Sequence, residues 1–285
     1  MRHGIVVPCY NESTRLDSAA YINYARENKQ NMICFVNDGS SDRTIDVLKA
    51  IKEAAGANVR ICDLKANGGK ANAVRMGALY LYKKTKVETI GFLDADLSTT
   101  FKEYDSLSSE VQNYKGELKV VFGSRNLSQE GNIERNPIRK ILSNIIKVLI
   151  YGITRVKIAD TQCGAKVFDR ELIPHIYGKT FFSRWLFDVE IILRLKKRVG
   201  KLSFLYMFLE KPLESWVHME GSKLSFKDSI LIPWNLIKIW SKYELQPTRL
   251  FDLDYLSFLL NSAYNTLIRR STTQNSIGGF LSQTR

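Results

Sequence analysis

The sequence predicts an α/β protein: a mixed, mostly parallel sheet flanked by helices. Between residues 4 and 114, short apolar runs alternate with amphipathic helix-like segments, the pattern of strands joined by crossover helices. Each early run also closes on polar residues, as strands do when their carboxyl ends carry ligand loops. Strands are expected at Gly4–Pro8, Met32–Asn37, Val59–Leu64 and Thr89–Leu93, with helices near Arg15–Asn28, Asp42–Ala54, Lys70–Lys84 and Phe101–Tyr114. A fifth strand is expected at Lys119–Gly123. Alternation then becomes irregular, with a basic segment at Arg135–Lys147, a strand-like Cys163–Phe168 and a helix at Phe187–Val199. No linker divides these parts, so residues 1–224 are expected to form one domain. An amphipathic helical extension is expected over 225–270, packed on the core or lying in a membrane interface, and a frayed polar tail over 271–285.

Of the 285 residues, 45% are hydrophobic, enough for a large core. A net charge of +13 points to a polyanionic partner: phosphate, nucleic acid or an anionic membrane surface. Nucleic acid is disfavoured because no reading motif accompanies the charge. The four cysteines, Cys9, Cys34, Cys62 and Cys163, are widely spaced and contain no CxxC pair, which fits reduced buried thiols. A strand begins almost at the first residue, and the apolar runs at 141–153 and 230–240 are short and interrupted by lysines. A cytoplasmic protein, peripheral at the cytosolic face of a membrane, is therefore expected.

The stretch Phe92-Leu93-Asp94-Ala95-Asp96-Leu97-Ser98 ends an apolar run in two carboxylates one residue apart. If that segment is extended, Asp94 and Asp96 project to one side and can reach one hard cation; ordinary turn or capping duty is the alternative. Asp38, after the second strand, can accept hydrogen bonds from a base or ribose or can close an Asx turn. The loop from Asn67 to Gly77 is glycine-rich and basic at a helix start, which suits a diphosphate through backbone N–H groups and charge. Neither a P-loop nor a GxGxxG fingerprint follows the first strand, which argues against nucleoside triphosphatase and dinucleotide chemistry.

The ordered blocks VVPCYNE, VNDGSSDRT, NGGKANAVRMG, FLDADLS and VFGSR together resemble family 2 glycosyltransferases of GT-A fold, a Rossmann-like architecture that binds nucleotide-diphosphate sugars. Further on, DTQCGAKVF, FDVE and EGSKL resemble the dolichyl-phosphate β-glucosyltransferase branch of the polyprenyl-phosphate glycosyltransferases.

That resemblance implies an inverting transfer of a hexose, with glucose from UDP-glucose expected. The nucleotide-sugar site would be built by Pro8, Tyr10, Asn11, Glu12, Asp38, Gly39, Lys70, Asp94, Ala95 and Asp96. Asp94 and Asp96 would hold Mg²⁺ or Mn²⁺ against the donor diphosphate, with Asp96 and Asp188 as the catalytic pair. Ser98 stands where the mannosyltransferase relatives carry a glutamine ligand and is left out of the metal shell. A polyprenyl-phosphate acceptor is already anionic and needs cations rather than a strong base. Arg125, Arg135, Arg139 and Lys140 are the candidates. A saccharide hydroxyl in surface-polysaccharide assembly is the alternative acceptor, with Asp188 as its base. Asp188 and Glu190 lie about 100° per residue apart on a helix start, so only one is expected to face the reacting centre. Trp216 and the following 219–223 loop form a candidate lid, with a packed core tryptophan as the alternative. A non-enzymatic basic membrane or nucleic-acid binder is the third reading, opposed by the intact acidic pair and donor loops.

Overall fold

In the computed structural model, the described residues are 2–113, 117–125, 137–217 and 226–244. All of them fall within one compact unit, Met1–Leu245. Residues 246–285 lie outside the described residues, as do 218–225 with the EGSKL block.

Four βα units build the first half: β1 (His3–Cys9), α1 (Ser18–Glu27), β2 (Met32–Asp38), α2 (Thr44–Ala55), β3 (Val59–Leu64), α3 (Lys70–Lys84), β4 (Thr89–Leu93) and α4 (Phe101–Asn113). Then come β5 (Val120–Ser124), α5 (Pro137–Thr154), β6 (Ala165–Asp169), α6 (Ile173–Tyr177), α7 (Phe187–Val199), α8 (Lys201–Met207), β7 (Phe208–Pro212) and α9 (Phe226–Glu244). The strands form one sheet in the order β3-β2-β1-β4-β6-β5-β7. Strands β1 to β4 are mutually parallel, whereas β6 runs antiparallel to both β4 and β5. The expected mixed, mostly parallel sheet is thus observed.

Antiparallel β6 has a direct consequence for the site. Its register places Ala165 opposite Leu93, so the segment entering β6 meets the carboxyl end of β4. Residues before Ala165 therefore reach the same sheet edge as the Asp94–Asp96 loop.

Apolar alternation fills both faces of the sheet. Ile5, Val7, Ile33 and Phe35 pack with Tyr21, Leu48, Tyr104 and Leu107 from α1, α2 and α4. At about 1.5–3 kcal/mol for each fully buried large apolar side chain, this layer gives the strand ends a rigid base. Tyr21 Oη donates to Ala95 O at 3.1 Å and so ties α1 to the acidic loop. A smaller cluster joins α5, α7 and α9 through Ile150, Ile153, Leu186, Val189, Leu193, Leu236 and Ile239. Helix α9 therefore packs against the same compact unit as the strands, while Leu231, Trp234, Ile237 and Trp240 remain exposed on it.

Helix α1 starts later than its sequence suggests. Residues 12–16 make a turn in which Glu12 O accepts from Arg15 N and Leu16 N, and Asp17 then caps the helix by accepting from Ala20 N at 3.0 Å.

Candidate active site

The loops leaving β1 to β4 are sewn together at one sheet edge. In the first loop, Asn11 sits at φ 51° and its Oδ1 accepts from Ser41 N at 2.9 Å, while its own N–H donates to Ser40 Oγ at 3.0 Å. Glu12 N donates to Thr44 Oγ1 at 2.8 Å. Burial would raise the Asp42 pKa, but bonds from the Thr44 and Ser13 side chains and from Thr44 N and Ser13 N, the Thr44 hydroxyl donating at 2.5 Å and the N–H groups at 3.0 and 3.1 Å, draw it down to about 2. Pro8 lies near the end of β1, and half-exposed Tyr10 follows it.

Asp38 closes the second loop onto the third. Its Oδ1 accepts from Gly68 N at 2.9 Å and its Oδ2 from Gly69 N at 2.8 Å. Burial raises its pKa, and these two N–H groups work against that rise. Gly39 turns at φ 62°, where a Cβ would lie 2.5 Å from the backbone carbon of Ala66, so only glycine fits this crossing. The expectation that the glycine loop offers its N–H groups to a diphosphate is corrected here. Gly68 and Gly69 donate to Asp38, Ala71 N donates to Arg184 O at 3.2 Å, and Asn72 N donates to Gly69 O at 3.0 Å. What the loop presents is the side-chain charge of Lys70, joined by Arg184 from the segment ahead of α7, whose guanidinium bonds Asn67.

Beyond β4 the chain turns rather than staying extended, with Leu97 N donating to Asp94 O at 3.2 Å and Leu97 at φ 52°. Asp94 and Asp96 consequently meet different cations. Lys70 Nζ lies 2.5 Å from Asp94 Oδ1, and Arg15, which also pairs with Glu12, lies 3.6 Å from Asp96 Oδ2. Burial pulls the Lys70 pKa down, but Asp94 and Asp188 outweigh it, and the ammonium is held above the ordinary lysine value. Asp96 Oδ1 accepts from Ser98 N at 3.0 Å.

The segment ahead of β6 closes the other side. Asp94 N donates to Gly164 O at 3.0 Å, and a Cβ on Gly164 would sit 2.5 Å from Asp94 Oδ2. Asp188, in the first turn of α7, is buried with Lys166 Nζ 2.8 Å from its Oδ1 and Gln162 Nε2 donating to its Oδ2 at 3.3 Å. Burial raises the Asp188 pKa against the pull of Lys166 and Lys70. Glu190 turns elsewhere, as the helix angle requires. It accepts from Phe182 N at 2.9 Å, Ser183 N at 2.8 Å and Tyr243 Oη at 2.8 Å.

Arg125 is held by Asp160, with Nε 2.7 Å from Oδ2 and Nη2 2.8 Å from Oδ1, and its guanidinium lies 5.5 Å from the Trp216 ring centroid. Burial would raise the Asp160 pKa, but Arg125 outweighs it and holds the carboxylate low. Arg135 lies outside the described residues, as does the lid segment 219–223; Arg139 and Lys140 fall on α5, with side chains outside the description. The structure thus brings Glu12, Asp38, Lys70, Asp94, Asp96 and Asp188 to one edge. It adds Arg15, Gln162, Lys166 and Arg184, which sequence reasoning passed over. Of these, only Lys166 left a local signal, a charge inside the strand-like run CGAKVF.

Fold and loop set are those of a GT-A glycosyltransferase. Glucosyl-3-phosphoglycerate synthase from Mycobacterium tuberculosis, crystallised with Mn²⁺, uridine diphosphate and glucosyl-3-phosphoglycerate, superposes with a TM-score of 0.63 at 13% identity, over 87% of this chain and 81% of that one. Residues 4–176 match the family model for glycosyl transferase family 2, and the chain belongs to that family. It is 30% identical over 256 residues to a dolichyl-phosphate beta-glucosyltransferase of Dictyostelium discoideum, covering 85% of this chain and 74% of that protein. The enzyme of the same name from Saccharomyces cerevisiae is 33% identical over 264 residues, covering 85% and 75%. The protein is therefore an enzyme, and the reading as a non-enzymatic basic binder falls.

Proposed function

We propose that the protein transfers glucose from UDP-glucose to a polyprenyl phosphate of the dolichyl type, with inversion, at the cytosolic face of a membrane. The observation that carries this reading is the similarity to dolichyl-phosphate beta-glucosyltransferases at 30–34% identity, which extends past the family block to 82–85% of the chain.

The acidic pair fits a divalent ion in its chemistry: Asp94 and Asp96 offer hard oxygen donors, and an ammonium and a guanidinium already lean on them. In the proposal they hold Mg²⁺ or Mn²⁺, which when bound supplies Lewis-acid charge to the leaving diphosphate. The Mn²⁺ and uridine diphosphate in the mycobacterial structure support both the metal and the nucleotide.

Pro8, Tyr10, Asn11 and Glu12 form one wall for the nucleoside. Asp38 and Gly39 form the other, with Asp38 shaping the glycine loop while its remaining lone pairs accept from the nucleoside. Ala95, anchored by Tyr21, fixes the backbone between the two acidic residues. Lys70 and Arg15 neutralise the diphosphate beside the carboxylates.

An acceptor phosphate is anionic near neutral pH and attacks without a strong base. Arg135, Arg139 and Lys140 attract it, while Arg125, forked on Asp160, contributes its field. A saccharide hydroxyl as acceptor draws support from one observation: Asp188, buried beside Lys70 and raised in pKa, has the character of a base.

The donor half is tested by UDP release from a panel of nucleotide sugars with Mn²⁺. UDP-glucose is expected to lead, and Asp96→Asn is expected to slow release by at least about a hundredfold with an unchanged melting temperature. Near-normal release by that variant would sink the metal assignment.

A further inference from the structure

The segment from Asp160 to Lys166 singled out the branch in the sequence, yet the donor loops give it no task. The geometry points to one: Lys166 is a positioning residue that, with Gln162, holds the Asp188 carboxylate in a single orientation beside Lys70 and Asp94. The inference rests on Asp188 belonging to the reacting centre.

Lys166 sits on β6 opposite Phe92, and its side chain is wholly buried. Its Nζ lies 2.8 Å from Asp188 Oδ1, donates to Cys163 O at 2.7 Å, and stands 5.1 and 4.8 Å from the ring centroids of Phe92 and Phe122. Gln162 holds the other carboxylate oxygen at 3.3 Å. One short segment thus holds Oδ2 by a hydrogen bond from Gln162 and faces Oδ1 with the Lys166 ammonium, an ion pair rather than an aligned hydrogen bond, and the same segment carries Gly164 against Asp94. One piece of backbone therefore sets the spacing between Asp188 and the acidic loop.

Stability alone does not explain this arrangement. A lysine taken fully out of water costs several kcal/mol, and apolar residues of similar volume commonly replace a buried ion pair with no loss or a gain in stability. An aspartate in the first turn of a helix is also already favoured by the helix dipole and needs no buried partner. Orientation is what the pair adds. A misplacement of about 1 Å at a reacting group costs on the order of a hundredfold in rate.

A cycle of Lys166→Met, Asp188→Asn and the double variant tests this, with kcat and KM for UDP-glucose and urea unfolding midpoints measured on each. Lys166→Met is expected to lower kcat by about a hundredfold with KM little changed. The double variant is expected to be no slower than Asp188→Asn alone and to unfold at higher urea than Lys166→Met, because the uncompensated buried carboxylate is gone. Lys166→Arg, which keeps the charge, should retain more kcat than the methionine variant. Multiplicative kcat losses in the double variant, or a rate that merely tracks the folded fraction, would overturn the inference. UDP release by the wild-type protein is the separate control on the proposed function. If another donor is the substrate, the stability arm still decides, since additive losses would mean that the two charges are uncoupled and would equally overturn the inference.

Discussion

Single carboxylates in this protein divide by what their two oxygens meet. Asp38 spends both on the N–H groups of Gly68 and Gly69, Asp94 and Asp96 face cations, and Asp188 is held between Lys166 and Gln162. Glu190 is the structural extreme. Fully buried, it gathers Phe182 N, Ser183 N and Tyr243 Oη, with Arg194 3.6 Å away, and so fixes the turn that delivers Arg184 to the glycine loop. Glu190→Ala strands these donors and is expected to cost about 3–5 kcal/mol of unfolding free energy, read from urea denaturation. A loss under about 1 kcal/mol would show that the turn holds without it. Asp38, Asp94 and Asp96 were legible in the sequence because each stands where an apolar run stops, and Lys70 because it follows a glycine pair at a helix start. Arg15 and Arg184 were not, since the contacts that bring them to the site, to Asp96 and to Asn67, are distant in sequence, and for Lys166 the charge inside a strand-like run was visible but its partner Asp188 was not.

At the scale of elements, periodicity located β3, β4, α3 and α7 to the residue, because their apolar spacing is unbroken between clear end signals. It could not show that β6 runs antiparallel, since alternation is the same in either direction. Strand β7 and helix α8 escaped it: Phe-Leu-Glu-Lys-Pro lacks alternation and ends on proline at the sheet edge, and α8 exposes Leu202, Leu205 and Tyr206. Helix α9 follows the packing reading of its amphipathic pattern on one face and leaves the other face exposed. Leu236 and Ile239 pack on α5 and α7, while Leu231, Trp234, Ile237 and Trp240 face outward near Lys238 and Lys242. No helix among the described residues is long and apolar enough to cross a membrane. We propose this outward face as the contact with an anionic lipid surface, with its tryptophans at the headgroup level and its lysines on the charge. Trp234→Ser with Trp240→Ser is expected to weaken cosedimentation with anionic liposomes by about tenfold or more while UDP release continues. Unaltered cosedimentation would remove α9 from the membrane contact.

For the whole molecule, the strand order is what makes a site from dispersed blocks. Parallel β1 to β4 bring four loops to one edge, and antiparallel β6 returns the chain to that edge, so segments as far apart as the Asn11 loop and the one ahead of β6 meet there. A net charge of +13 suits the proposed reaction, in which the donor carries a diphosphate and the acceptor a phosphate at an anionic surface. The measurement that bears most directly on this account is transfer of radiolabelled glucose from UDP-glucose, with Mn²⁺, to a short polyprenyl phosphate, followed by extraction into organic solvent. Label entering the organic phase only when the lipid phosphate is present is the predicted result. UDP released with label passing solely to a saccharide would contradict the lipid acceptor, and no release from any nucleotide sugar would contradict the donor site itself.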